Sequence, residues 1–260
     1  MRMRNFYIVL FSALITSCSS YNEIVKGDDY ATKFELANDL YENGEYVKSI
    51  VLYEQIYQHA PKSGEGELAY YRLGNSYYRS EDYYMAAYYL SSYVQRFPYS
   101  QKNEEVMFMA ALCNVNNSPQ VSLDQTETNE AINSIQRFVD RYPSTKYMDS
   151  CNLIIDRLRF KLEEKDFTHV QLYSKTERYR AAVSSAEIFM ENYPASNFNE
   201  EVFYLLVKNS YFLAINSIES KKTRRIEDSY ERLRNFEAVF NNSKYSKELN
   251  MLISRLETNE

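Results

Sequence analysis

The sequence predicts an all-α solenoid of about five helical hairpins, closed by one further helix at its C-terminal end. Three observations carry that expectation: one phrase is written twice between Tyr30 and Pro98, apolar residues recur within it at helical spacing, and proline closes each copy. Laying Tyr30–Pro61 over Glu67–Pro98 puts Leu36-Ala37 over Leu73-Gly74, Leu40 over Tyr77 and Tyr46 over Tyr83. Ser49 then falls over Ala86, Tyr53 over Leu90, Ile56 over Tyr93 and Pro61 over Pro98, a period of 37 residues. Each copy holds two apolar runs of about 14 residues, parted by Asn43-Gly44-Glu45 or Ser80-Glu81-Asp82, so each is a helical hairpin. Small residues (Ala37, Gly74, Ser49, Ala86) stand where the paired helices approach most closely, with aromatic residues filling the flanking holes.

The spacing L-[G/A]-x-x-Y, then a small residue, an aromatic or leucine, a bulky residue and Pro, resembles the tetratricopeptide (TPR) repeat. That resemblance implies a superhelix with a concave binding surface, because one such hairpin cannot bury its apolar face alone. The boundaries read as 30–63, 67–100, 103–145, 147–196 and 197–240, with a capping helix over 244–257. Repeat three pairs a helix at about Asn103–Asn114 with one near Thr128–Tyr142, and its polar insertion Asn116–Glu127 is expected as a surface loop. Repeat four opens on an unusually long helical pattern, about Tyr147 to Ser174, unbroken by Gly or Pro. Repeat five reads as Asn199–Ile218 and Arg225–Phe240, joined by Ser220-Lys221-Lys222-Thr223. Leu249, Leu252, Ile253 and Leu256 give the last helix one apolar face.

Ahead of the repeats, residues 1–17 have the form of an export signal: Arg2 and Arg4, the apolar run Phe6–Ile15, then Thr16-Ser17 before Cys18. Ten apolar residues are too few to span a bilayer as a stable helix. The ending Ile-Thr-Ser-Cys resembles the bacterial lipoprotein cleavage box, which implies that Cys18 becomes the first mature residue and carries lipid; an ordinary signal followed by an incidental cysteine is the alternative. Residues 18–29 are expected as a polar tether, and the repeat domain occupies 30–260. Removing residues 1–17 takes the net charge from −6 to −8, which argues against general nucleic-acid binding.

Nothing in the sequence assembles a catalytic or metal-binding constellation, so no enzyme activity and no cofactor beyond the lipid on Cys18 is expected. His59 sits at a helix end, where it complements the helix dipole, and His169 at a packing position. Cys113 and Cys151 fall on the first helices of adjacent repeats, offset by about one turn. At interaxial distances of roughly 10 Å they stand beyond the bridging limit of about 7 Å and are expected as buried free thiols.

First helices line the concave face of a TPR array. The frame points Phe34, Asn38 and Tyr41 that way in repeat one, and Tyr71, Asn75 and Tyr78, with Arg79 alongside, in repeat two. Asparagines at one groove position in successive repeats suit the backbone of an extended peptide, and the tyrosines suit its side chains; the same residues could equally pack between neighbouring helices. Lys221, Lys222, Arg224 and Arg225 form the densest basic cluster, either a solvated inter-helix loop or a docking patch for an acidic surface.

Three repeat ends share aromatic-Pro-x-Ser/Thr: Phe97-Pro98-Tyr99-Ser100, Tyr142-Pro143-Ser144-Thr145 and Tyr193-Pro194-Ala195-Ser196, the last two with Tyr147 and Phe198 following. Proline stops one helix and the hydroxyl turns or caps the next. Together with the lipoprotein-like start, five repeats, the repeat-three loop and the long helix of repeat four, this resembles the BamD-type lipoproteins of the outer-membrane β-barrel assembly machinery, over essentially the whole mature chain. The resemblance implies a non-enzymatic, lipid-anchored scaffold on the periplasmic face of the outer membrane. Its partners would be the periplasmic domains of the barrel-shaped assembly subunit, unfolded outer-membrane proteins bearing aromatic-ended C-terminal signals, and other assembly lipoproteins. It also implies that the amino-terminal repeats recognise the signal and the carboxy-terminal repeats dock the subunit. Two alternatives are a TPR lipoprotein of another envelope complex, serving cell division or peptidoglycan, and a surface nutrient-binding lipoprotein. The absence of Trp weighs against the nutrient binder, because carbohydrate sites usually recruit tryptophan platforms.

Overall fold

The computed structural model describes residues 20–257, and all regular structure among them is helical. In order, α1 covers residues 20–26, followed by α2 (Tyr30–Glu42), α3 (Tyr46–His59), α4 (Gly64–Arg79), α5 (Tyr83–Arg96), α6 (Asn103–Asn117) and α7 (Thr126–Arg141). Then come α8 (Met148–Lys175), α9 (Tyr179–Asn192), α10 (Asn199–Ile215), α11 (Glu219–Val239) and α12 (Ser246–Glu257). The chain forms two compact units. The first runs through Pro119 and resumes over Gln125–Ile155; the second takes Gln120–Asp124 and everything from Asp156.

In the first unit each helix packs on its chain neighbour from α2 to α7, the antiparallel stacking that short connections impose. Ala37, Ser49, Ala86, Leu52, Tyr53, Leu90 and Tyr93 are completely buried. Gly74 sits at the α4–α5 contact as expected, and a Cβ there would meet Leu90 Cδ2 at 2.9 Å. Gly66, which the repeat frame does not single out, lies closer to its neighbours: its Cβ would fall 2.0 Å from the Ala60 carbonyl oxygen, so the turn between α3 and α4 closes on bare backbone. The break in the first, second and fourth hairpins is made by a left-handed residue. Gly44 supplies φ +79° in the first, and Glu81 and Glu177 take φ 63° and 58° in the second and fourth. Asp29, Ser63 and Asp82 accept backbone N–H groups as N-caps of α2, α4 and α5.

The second unit buries Phe167, Val170, Val183, Ala186, Phe189 and Val207 in one cluster. Leu249, Leu252, Ile253 and Leu256 close that cluster from α12, the face the periodicity indicated. Cys113 and Cys151 are buried free thiols, and burial pushes Cys113 up to about 12.

Two expectations need correction. Residues 20–26 are a helix rather than part of a plain tether: Tyr21, Ile24 and Val25, at i, i+3 and i+4, pack on the first unit's core. Buried Lys33 ties that helix down, donating to the Val25 carbonyl at 3.1 Å and to Gln55 Oε1 at 2.7 Å. The run 220–223 is not a loop, because α11 starts at Glu219 and the break falls at Asn216–Ile218; Lys, Arg and Glu favour helix, and the side chains that favour turns are the earlier ones. The repeat-three insertion is the expected surface loop, with Gln120, Ser122, Leu123 and Asp124 exposed. Gln120–Asp124 belong to the second unit, where Lys165 Nζ donates to the Ser122 carbonyl at 3.1 Å.

Candidate functional site

The repeat ends are built from more residues than the aromatic-Pro-x-Ser/Thr signature. In each, the hydroxyl-bearing residue donates its N–H to the aromatic carbonyl three positions back: Ser100 to Phe97, Thr145 to Tyr142, Ser196 to Tyr193, and Ser243 to Phe240. The last of these, Phe240-Asn241-Asn242-Ser243, is a fourth corner that the proline-centred pattern overlooks. In the first three the hydroxyl then reaches a carboxylate on the first helix of the same hairpin. Ser100 and Tyr93 both donate to Glu67 Oε1 at 2.7 Å, Thr145 donates to Glu104 at 2.6 Å, and Ser196 pairs with Glu163 while Tyr193 donates to Asp166 at 2.9 Å. Those hydrogen bonds, from Tyr93 first and Ser100 second, hold the Glu67 carboxyl below the usual carboxylate range.

Four residues beyond Glu67, Glu104, Glu163 and the equivalent Glu200 stands a ring, and the residue two past the corner hydroxyl lies over it. Tyr147 stacks on Phe108 at 4.2 Å, Phe198 on Phe167 at 4.3 Å and Tyr245 on Tyr204 at 4.1 Å; in repeat two Lys102 Nζ takes the place, 5.1 Å above Tyr71. The signal was present in the sequence as Glu-x-x-x-aromatic: Glu67/Tyr71, Glu104/Phe108, Glu163/Phe167 and Glu200/Tyr204. It also explains the long α8, in which the repeat-four frame begins at Glu163, several turns inside the helix.

Phe34, Asn38, Tyr41, Tyr71, Asn75, Tyr78 and Arg79 do lie on successive first helices, α2 and α4. The structure gives the two amides internal partners. Asn38 Oδ1 accepts from Tyr53 OH at 2.9 Å and from Arg72 at 2.8 Å, filling both lone pairs. Asn75, only 5% exposed, accepts from Tyr41 OH at 2.9 Å and points its Nδ2 at Tyr71 OH and the Met109 sulfur. The expected amide contacts to an extended peptide are thus replaced by bonds between repeats, because neighbouring first helices meet at a separation of 34 residues, one turn short of the repeat period. Arg72, which the sequence reading passed over, is the hub: it also donates to Glu42 at 3.3 Å and stacks its guanidinium 4.9 Å over Tyr41. Burial raises Tyr53 to about 12, so its hydroxyl remains a donor throughout the neutral range. Phe34, Tyr41, Tyr71 and Tyr78 are half-buried, and Arg79 is exposed at the end of α4.

An open cleft lies at the far ends of the second helices. Tyr57, Gln58, Pro61, Lys62, Arg96 and Phe97 line a space of about 690 Å³, with Arg96 donating to Tyr57 OH at 2.9 Å and lying over the Tyr57 and Tyr70 rings. Two cations beside two rings suit a carboxylate attached to an aromatic group. The nearby His59 stacks face to face on Tyr30 at 3.7 Å.

Lys221, Lys222, Arg224 and Arg225 occupy the first two turns of α11. Lys221 and Arg224 are exposed, whereas Arg225 turns back to donate to Ser217 Oγ. Cations at a helix N-terminus oppose its dipole, so helix stability alone does not account for the cluster. Cys18 lies outside the described residues. Among the described residues no helix is long and apolar enough to cross a membrane, and no group of His, Cys, Asp and Glu is placed to hold a metal ion.

A family model described as outer membrane lipoprotein (YfiO) matches residues 28–222 and 173–259. Curated relatives include an outer membrane protein assembly factor BamD of Caulobacter vibrioides, 21% identical over 71% of this chain; the match spans only 60% of that protein. The protein of the same name from Pasteurella multocida is 19% identical over 85% of this chain and 88% of its own length. Among solved structures, TPR-like repeats of a kinesin light chain from Podosopora anserina align over 82% of this chain and 96% of theirs, at 13% identity and a TM-score of 0.34.

Proposed function

Because the chain belongs to the YfiO family of outer membrane lipoproteins, we propose that it is a lipid-anchored, non-enzymatic scaffold of outer-membrane β-barrel protein assembly. The single observation that carries this reading is the family match across both units, together with relatives named as assembly factors. In this reading Cys18 bears the lipid and holds the protein on the periplasmic face of the outer membrane. The first unit receives the aromatic-ended C-terminal segment of an unfolded barrel protein. With Asn38 and Asn75 engaged between repeats, the residues offered to that segment are the partly exposed rings of Phe34, Tyr41, Tyr71 and Tyr78 with Arg79, and the Lys62/Arg96 cleft for its carboxylate. The exposed cations Lys221 and Arg224, with Lys222, dock the periplasmic domains of the barrel-shaped subunit through a salt-sensitive contact. The test is affinity purification of the detergent-extracted protein. Co-elution of a large β-barrel subunit, reduced by charge reversal in the α11 cluster, is the expected result; a preparation containing only cell-division or peptidoglycan proteins would overturn it.

A further inference from the structure

Helix α5 carries no charged side chain from Tyr83 to Gln95, yet Tyr84 and Tyr88 are 67% and 59% exposed. One repeat earlier, at the same helical phase on α3, Val47 and Val51 are 72% and 38% exposed. The two helices are lateral neighbours, joined by Tyr89 OH to Glu54 and Arg96 to Tyr57 OH, so the four side chains share one surface. Charge is concentrated at its ends, with the Lys48–Glu45 pair, Glu81 and Asp82 at one and Lys62 and Arg96 at the other; the one carboxylate between them, Glu54, is half-buried and accepts from Tyr89 OH. Helix α1 runs onto this surface. Tyr21 donates its hydroxyl to the Lys48 carbonyl at 3.1 Å, and Lys48 Nζ lies 5.9 Å from the Tyr21 ring. Tyr21 is three positions after Cys18, a reach of at most about 11 Å of extended chain.

We propose that the α3–α5 face of the first unit lies in the interfacial layer of the bilayer, with Tyr84 and Tyr88 at headgroup depth and Val47 and Val51 against the upper acyl chains. The inference rests on lipidation of Cys18. An acyl group attached within that reach holds residues 47–51 at the membrane surface permanently, so even shallow burial of a few side chains adds to retention. The composition suits that layer: tyrosine has an apolar body and a wet tip, α5 brings no charge to desolvate before Arg96, and the Glu54 carboxylate on α3 is half-buried and hydrogen-bonded to Tyr89 OH. A uniformly charged outer face would have been the ordinary choice for helices turned to water.

The full lipid-modified protein is reconstituted into phosphatidylethanolamine/phosphatidylglycerol vesicles with an environment-sensitive fluorophore on Val51→Cys, Tyr88→Cys or, as a control on exposed α2, Glu35→Cys. Cys113 and Cys151 are buried and stay unlabelled in the folded protein. Unchanged melting shows that each variant folds. The expected result is blue-shifted emission at 51 and 88, with quenching by nitroxide-bearing lipid several-fold greater than at 35. Vesicle-bound protein with water-like emission at all three positions overturns the proposal and leaves the anchor intact. A blue shift without lipid quenching also overturns it, since a second copy of the chain then covers the face. Failure of the wild-type chain to float with vesicles, as Cys18→Ala is expected to fail, removes the anchor reading and the inference with it.

Discussion

The hydroxyl of Tyr41 on α2 donates to Asn75 Oδ1 on α4 at 2.9 Å, and Asn75 is 5% exposed: the amide that a groove reading offers to a ligand is a bond between repeats. An array in which each hairpin contacts only its neighbours depends on such bonds for cooperativity. Replacing Asn75 with Ala leaves the Tyr41 hydroxyl without its acceptor, at an expected cost of about 1–3 kcal/mol. Urea unfolding of the soluble body measures it. A midpoint equal to wild type, with weakened peptide binding, would return the residue to the groove.

The two close glycines should differ in cost. A Cβ on Gly74 meets the end of the Leu90 side chain, which can rotate, whereas a Cβ on Gly66 meets the Ala60 carbonyl, which is held by the Ser63 N–H and hydroxyl. Gly66→Ala is therefore expected to lower the melting temperature more than Gly74→Ala. Gly74→Leu overpacks its site by about 1–3 kcal/mol. Thermal melts of the three variants decide the ranking.

The Glu67 corner makes the first unit sensitive to acid. Glu67 has its pKa lowered by the Tyr93 and Ser100 hydrogen bonds, so its contribution is present above the unfolded carboxylate value near 4.3 and is lost as pH falls through the lower folded value. Glu67→Gln is expected to melt lower than wild type at neutral pH and to lose less stability between about pH 6 and pH 3. Parallel pH–melting profiles that keep a constant gap would refute the assignment.

Stability and docking should part company at Lys221. Placed in the first turn of α11, its charge opposes the helix dipole, so Lys221→Glu is expected to stabilise the second unit by about 0.3–1 kcal/mol. The same change should weaken binding of the β-barrel subunit's periplasmic domains and flatten its salt dependence. Calorimetric melting and a binding titration at two salt concentrations make the comparison.

Local signals were enough to define the hairpins. Proline stops, polar breaks and 3.6-residue periodicity are local, so the helices, the Gly74 contact and the apolar face of α12 could be read directly, as could the two thiols as buried and unpaired. Those signals did not determine which polar residues face a ligand. Asn38 and Asn75 look outward on a helical wheel, but the one-turn offset between successive first helices brings Arg72 onto Asn38 and Tyr41 onto Asn75, and that offset exists only once the hairpins stack. The Glu-x-x-x-aromatic pattern was visible but had no meaning without the corner that returns to it some 33 residues later. Whether a polar stretch is loop or helix, as at Lys221–Arg225, or tether or helix, as at residues 20–26, was likewise left to packing. Short segments with mixed signals fold according to the surface they meet, and that surface is built by the rest of the chain.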